Sequence, residues 1–318
     1  MLYQKPALTV EDQADRLIDR GLVADRDELI ERLKAVNYYR LSGYLYPFRC
    51  GDHTYQPGTT LGLVWRRYNF DRRLRIILLD AIERIEVAVR TRLIQHFVQA
   101  HGPFGHLCEK NLPGFKKRSP SQRFCRNLRS LIRLKGLEKT AFETWLSKLH
   151  NEARRASDTF VKHFRSTYGD HHEYLPLWMA CELMTCETTL QFTNGVDGTI
   201  LKQAAADFGF PDQQLLSWTK ALFTLRNACA HHARVWNRVF GVKPSVPGKN
   251  KNPKWHLQPC FAYDRVGLML TVCHHWLGRV TSTTQWRTRL FALFDEFPEI
   301  PLQEMGIPTS WRTHPLWR

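Results

Sequence analysis

Between Thr60 and Ala100 the chain has no proline and, after Gly62, no glycine, while apolar residues recur at Leu61, Trp65, Tyr68, Leu74, Leu78, Ile82, Ile85, Val89 and Leu93. Steps of three and four residues place such side chains on one stripe of an α-helix. The spacing predicts one very long helix, or two nearly collinear ones, broken at His101-Gly102-Pro103-Phe104-Gly105. Thr9-Val10-Glu11-Asp12 reads as a helix start with an acidic first turn and Gly21 as its stop. Asp25 to Glu28 repeats the device for a helix carrying Leu29, Ile30, Leu33 and Val36, which ends in the corner Asn37-Tyr38-Tyr39-Arg40-Leu41-Ser42-Gly43-Tyr44. That corner reads first as structural, with binding as the alternative.

Further helices are expected from Leu177 to about Thr193, closed by Asn194-Gly195, from Pro211-Asp212 onward, and near 263–279 and 283–297, before an irregular tail rich in proline and tryptophan. No alternation of strand length and no fixed-period repeat appears, so the fold class is all-α.

The charge is lopsided. Lys and Arg number 46 against 30 Asp and Glu, a formal net charge of +16, which attracts polyanions through long-range fields and counterion release. Nucleic acid is the leading partner class and an anionic membrane surface the second. A hydrophobic content of 43% argues for a folded soluble protein. No apolar run approaches the roughly 18 residues of a membrane span, and Met1-Leu2-Tyr3-Gln4-Lys5-Pro6 lacks a secretory pattern; a cytoplasmic location is expected. Residues 110 to 165 hold much of the surplus, including Lys116, Lys117, Arg118, Arg123, Arg126, Arg129 and Arg133, and the recurrence of Arg126, Arg129 and Arg133 beside Leu128, Leu131 and Ile132 suggests a helix with one basic and one buried face. Residues 241 to 254, with Lys249, Lys251 and Lys254, read as a mobile basic loop. Both segments are candidate RNA contacts.

The eight cysteines form no Cys-x-x-Cys pair, and Cys260 with Cys273-His274-His275 lacks the two short-spaced ligand pairs of a zinc site. No metal and no cofactor is expected; the thiols read as reduced and mostly buried.

The richest chemistry lies at Arg226-Asn227-Ala228-Cys229-Ala230-His231-His232, continuing into Arg234, Asn237 and Arg238. Arginine offers a planar charged fork for phosphate oxygens, and histidine exchanges protons near neutral pH. If the helix continues, Asn227 and His231 share a face and Arg234 and Arg238 extend it. Glu86 and Arg90 stand four apart on the long helix, either a surface ion pair or a polar wall of an active-site groove.

The Arg226-x4-His231 arrangement, with Asn227 after the arginine, resembles the motif of HEPN ribonucleases. The chain also carries Asn37-Tyr38-Tyr39-Arg40-Leu41-Ser42-Gly43-Tyr44, Ile85-Glu86-x3-Arg90-Thr91, Leu175-Pro176-Leu177-Trp178 followed by Glu182, and Met305-Gly306-Ile307-Pro308-x-x-Trp311. In that order and over nearly the whole length, it resembles the abortive-infection (Abi) family of antiphage proteins, of the AbiD and AbiF type, placed in the HEPN superfamily. Met184-Thr185-Cys186-Glu187 stands where that family typically has a Phe-Gly pair.

The resemblance implies a HEPN-like helical bundle, with its long helix in 59–105 and its remainder, carrying the motif, in 171–300. An N-terminal helical segment 1–58, a basic insertion 106–170 and a tail 301–318 would be additions. It also implies a toxin-like, metal-independent endoribonuclease working as a homodimer, with His231 transferring protons, Arg226 clamping the phosphate and Asn227 orienting. His232, Glu86, Arg90, Arg234 and Arg238 are possible supporting groups, and His232 or a second protomer would supply the second proton-transfer group. The competing reading is a non-cleaving or RNA-silenced protein bound to a small structured non-coding RNA. A DNA-binding regulator using the two N-terminal helices is disfavoured by their acidity (Glu11, Asp12, Asp15, Asp19, Asp25, Asp27, Glu28, Glu31), which suits packing over the basic middle segment instead.

Overall fold

A computed structural model describes residues 2, 4, 6–116, 139–250, 252–281 and 283–318. Lys117, Arg118, Arg123, Arg126, Arg129, Arg133 and Lys251 lie outside the described residues. Among the described residues, twelve α-helices and short 3-10 turns make up the regular structure, and the only β pairing is two isolated bridges, Val23 with Thr60 and Arg49 with Tyr55. The fold is all-α.

The organising element is a single 41-residue helix, α4 (Leu61–His101), about 60 Å long. Thr60 caps its start by accepting from the Leu63 amide at 3.2 Å, and Gly102, at φ 75, ends it. Val64, Phe70, Leu74, Leu78, Ala81, Ile82, Ile85, Val89, Leu93 and Phe97 are fully buried along it. Trp65 and Tyr68, which the periodicity assigns to the same stripe, are half-buried and stack on each other with centroids 5.0 Å apart at the rim.

The N-terminal helices α1 (Val10–Asp19), α2 (Arg26–Val36) and α3 (Tyr38–Leu45) pack on one another and on the first half of α4. Thr9 and Asp12 form a reciprocal capping box at α1, and Asp25 caps α2. Three acidic side chains of this segment pair with basic neighbours within it, Asp15 with Arg26, Glu28 with Arg32 and Glu31 with Lys34. After α5 (Ala141–Arg155) and α6 (Thr159–Tyr168), the expected helix over 177–193 is divided into α7 (Leu177–Ala180) and α8 (Cys186–Gly195). The break falls at Met184-Thr185: Thr185 adopts an extended backbone and its hydroxyl accepts from the Thr188 amide, starting a new helix.

Helices α9 (Gly198–Ala206), α10 (Asp212–Ala230), α11 (Val266–Val280) and α12 (Trp286–Glu296) complete the bundle, and α4 touches α3 and every helix from α7 to α12. The tail is part of the core. Met305, Ile307, Trp311 and Trp317 are buried, and the Trp317 indole donates to the Thr271 hydroxyl at 3.1 Å. Gly267 is needed for this contact, since a Cβ there would lie 2.6 Å from Ile307 and 2.8 Å from the Met305 carbonyl. The loop after α10 is tied down where mobility was expected: Gln214 and Trp218 both donate to the Ser245 carbonyl, and the Ser245 amide donates to Ser217.

His274 stacks on Trp317 at 4.7 Å, and His275 packs among Phe210, Trp218 and Trp255, so both are engaged in aromatic packing. Burial pushes these two histidines and the fully enclosed His106 down to about 4. Their folded values lie below the unfolded value of 6.5, so the unfolded chain binds protons first as pH falls. Stability present above pH 6.5 is therefore expected to drain away towards pH 4, by about 1.4 kcal/mol per pH unit for a histidine as enclosed as His106. Glu296, held low by Arg73, adds its own loss only below 4.5. Urea unfolding of wild type and His106→Leu from pH 7 to 4 measures this; parallel curves for the two proteins refute it.

Candidate functional site

Pro211 opens α10, whose inner face buries Leu215, Trp218, Leu222, Leu225 and Cys229. The helix ends at Ala230 rather than continuing through the motif. The amide of Ala233 donates to the Ala228 carbonyl at 2.9 Å and that of His232 to Cys229 at 3.0 Å, the paired bonds of a Schellman stop. His232 sits at the left-handed position that glycine usually fills, with φ 57. His231 still closes the last turn, its amide bonded to the Asn227 carbonyl at 3.0 Å, so the Asn227–His231 pair survives. Asn227, His231 and His232 are all exposed.

Arg234 and Arg238 are therefore not on the helical strip that a continuing helix would have produced. The Arg234 guanidinium donates to the Gly43 carbonyl, and that of Arg238 lies over the Phe240 ring, 5.6 Å from its centroid. Asn237 donates to Glu304 at 3.1 Å. These side chains fasten the loop to its surroundings.

The chain turns off the helix axis because of a buried carboxylate that sequence reasoning missed. Asp71 on α4 is fully enclosed and accepts from the backbone amides of Val235 (3.1 Å) and Trp236 (2.8 Å), from the Tyr44 hydroxyl (2.6 Å) and from the Arg75 guanidinium. Arg75 also reaches the Ala233 carbonyl at 3.3 Å, and Arg40 on α3 donates to the His232 carbonyl at 2.6 Å. Burial raises the Asp71 carboxyl above its ordinary range, with Arg75, Tyr44 and the two amides working against the rise. Burial works against the charge of Arg75 too, but Asp71 beside it holds the guanidinium above its usual value. Burial and the neighbouring Asp71 push the Tyr44 phenol up, so it stays a donor. The signal was present: Arg67, Asp71 and Arg75 occupy, at i, i+4 and i+8, the register that elsewhere on α4 is apolar.

His231 and His232 open onto a groove of about 1020 Å³ between the α2–α3 corner and α4, lined also by Tyr39, Arg40, Arg72, Arg75 and Arg234. Arg226 does not line it. Five residues along a helix correspond to about 140° of rotation, and the half-buried Arg226 lies instead towards α8, where its charge and that of Arg90 act on the Cys186 thiol. Burial and then Glu86, which accepts from Cys186 at 2.9 Å, push that thiol up to about 12. Arg90 pairs with Glu182 at 3.2 Å, so the i, i+4 ion pair of Glu86 and Arg90 is replaced by two contacts to other helices. Glu86, Arg90 and Arg226 all act on the Cys186 thiol.

The basic candidates are not gathered at the groove. Lys116 is exposed at the end of a 3-10 turn, Pro113–Lys116. Lys249 is exposed on the anchored loop, and Lys254 adjoins Trp255 and His275 near Trp218, about 20 Å up the α10 axis from His231. Among the described residues no three His, Cys, Asp or Glu side chains are grouped to hold a metal ion, and no helix is long and apolar enough to cross a membrane.

These features define a helical protein with an exposed histidine on a fixed helix stop, facing a basic groove. The family model described as Abi-like protein matches residues 31–237, nearly two thirds of the chain, and the chain belongs to that family. The matched span holds the whole groove and ends at Asn237, and membership supports a role in abortive infection, a defence against phage. A search of the curated proteins and a search of the solved structures each returned no match.

Two substitutions test the anchor. Asp71→Ala leaves Arg75 buried without its partner and is expected to cost about 3–5 kcal/mol in urea unfolding; a loss under 1 kcal/mol would show that the cluster does not hold the loop. His232→Gly removes the side chain from a left-handed backbone and is expected to stabilise by about 1 kcal/mol, whereas a lowered midpoint would mean that the imidazole makes contacts of its own.

Proposed function

We propose that the chain is a metal-independent endoribonuclease of the HEPN type, acting as a toxin-like effector of abortive infection. The observation that carries this reading is the exposure of His231 at a rigidly anchored helix stop, on a groove whose described lining contains arginine, lysine and tyrosine and no carboxylate. RNA brings its own nucleophile. His231 takes the proton from a 2'-hydroxyl, the oxygen attacks the adjacent phosphorus, and the P–O5' bond breaks as a second group protonates the departing oxygen. Arg226 stabilises the extra charge of the phosphorane and Asn227, one turn below His231, orients the reacting groups. The products are a 2',3'-cyclic phosphate and a 5'-hydroxyl, and DNA, lacking the 2'-hydroxyl, is not cut.

The divergence of Arg226 and His231 around α10 suits a site completed by a second copy, in which each motif meets the other across a dimer axis and the second histidine serves as the acid. The same divergence favours a second reading, a non-cleaving protein that holds a small structured RNA in the groove. The two are separated by incubating wild type, His231→Ala and Arg226→Ala with mixed RNA in EDTA, with end-group analysis and sequencing of co-purifying RNA. The nuclease reading expects cyclic-phosphate ends from the wild type, a loss of at least about a hundredfold in both variants, and nearly unchanged affinity for His231→Ala, since one neutral side chain contributes little to salt-driven binding. Intact RNA in every reaction, with one cellular RNA retained, selects the second reading.

A further inference from the structure

The corner formed by residues 34–44 is one wall of the groove that His231 faces. Asn37, at φ 59, ends α2 and caps α3 by accepting from the Tyr39 amide at 2.7 Å, which sets Tyr39 and Arg40 in the first turn of α3. The Tyr39 ring is 77% exposed on the groove wall. Across from it, α4 presents Tyr68, Arg72 and Ile76, and the side chain of the exposed Arg72 makes no hydrogen bond or ion pair with another described residue. Arg40 holds the His232 carbonyl and thereby joins this wall to the motif.

An exposed flat ring among guanidinium groups, with no carboxylate in the described lining, is matched to a polyanion that carries unpaired planar bases. Phosphates take the arginines and a base takes the tyrosine face. A duplex keeps its bases stacked inward and has none to offer Tyr39. At about 1020 Å³ the groove stands at the upper end of the size of small-ligand pockets, roughly 300–1,000 Å³, and leaves room for more than one nucleotide unit.

We infer that this groove seats a single-stranded RNA segment, stacked on Tyr39 and contacted at its phosphates by Arg72, leading to His231. Its orientation towards His231 rests on the nuclease reading; the binding itself does not.

The test uses the full chain carrying His231→Ala, so that no probe is consumed, and a fluorescein-labelled oligouridylate, alone or annealed to oligoadenylate. Adding Tyr39→Ala is expected to weaken single-strand binding roughly tenfold with the salt dependence kept, and Tyr39→Phe to restore it. Adding Arg72→Ala is expected to weaken binding several-fold and to lower the salt slope by about one. Melting temperature and elution volume should not move in either variant. Unchanged affinity, equal binding of the duplex, or no binding of the oligouridylate by the parent chain would overturn the assignment. A shift from dimer to monomer accompanying the loss would make the groove a protein interface and overturn it equally. Absence of cleavage by wild type in EDTA while Tyr39-dependent binding persists would sink the nuclease reading alone; full cleavage by Tyr39→Ala would sink the groove alone.

Discussion

Everything at the site depends on one buried carboxylate. Asp71 ties the hydroxyl of Tyr44 on α3, the guanidinium of Arg75 on α4 and two backbone amides of the loop after α10 to a single pair of oxygens. Desolvating a carboxylate and a guanidinium together costs several kcal/mol per ion, and an apolar cluster of the same volume is often as stable. The arrangement delivers position instead. A hydrophobic contact can slide, whereas two adjacent amides aimed at one oxygen fix where the chain leaves the helix, and hence where His231 and His232 stand. Arg67, one turn earlier and sandwiched between Phe48 and Trp236, extends the same polar row and holds the tryptophan whose amide Asp71 binds.

The fold was legible wherever a local rule sufficed. The breaker-free stretch 60–100 is one helix, and Thr9, Asp25 and Gly102 act as the caps and stop that their positions announce. The failures share a cause, which is that long-range contacts decided the outcome. Nothing local ends α10 before His231: no glycine or proline occurs between Pro211 and Gly241, and the stop is imposed from α4, 164 residues away in sequence, through Val235. Likewise Glu86 and Arg90 are correctly spaced for each other, yet Cys186 and Glu182 on neighbouring elements offer contacts that the spacing could not reveal. The tail looked irregular because its order comes from burial of Trp311 and Trp317, not from periodicity. Residues 117–138, to which the charge pattern assigned most RNA contacts, lie outside the described residues, and the basic groove was hidden because its arginines come from α3, α4 and the loop, far apart in the chain.

Charge distribution follows a related logic. On the N-terminal helices some of the surface charge is paired with neighbours a turn away, Glu28 with Arg32 and Glu31 with Lys34. Pairs so exposed contribute little to stability, but they mix the two signs of charge on that surface. At the groove the acidic partners are withdrawn: Asp71 is buried beneath Arg75, and no carboxylate stands among the described lining residues. Arginines in a groove whose described lining has no carboxylate focus a positive field that interspersed charges would partly cancel.

The motif is consequently divided into a rigid half and a fastened half. Arg226, Asn227 and His231 belong to the last two turns of a helix whose inner face is fully packed, so their mutual geometry is set by backbone hydrogen bonds. His232, Arg234 and Arg238 belong to a loop held by Asp71, Arg40, the Gly43 carbonyl and the Phe240 ring. Groups that must keep a fixed distance from one another are better placed on the first kind of element, because helix geometry varies less than loop geometry. Guanidinium groups already bonded to carbonyls have fewer donors left for a ligand and act chiefly by fixing the path of the chain. The left-handed backbone at His232 belongs to the same economy: a side chain that costs about 1 kcal/mol at this position is tolerated because the Asp71 anchor over-determines the turn around it.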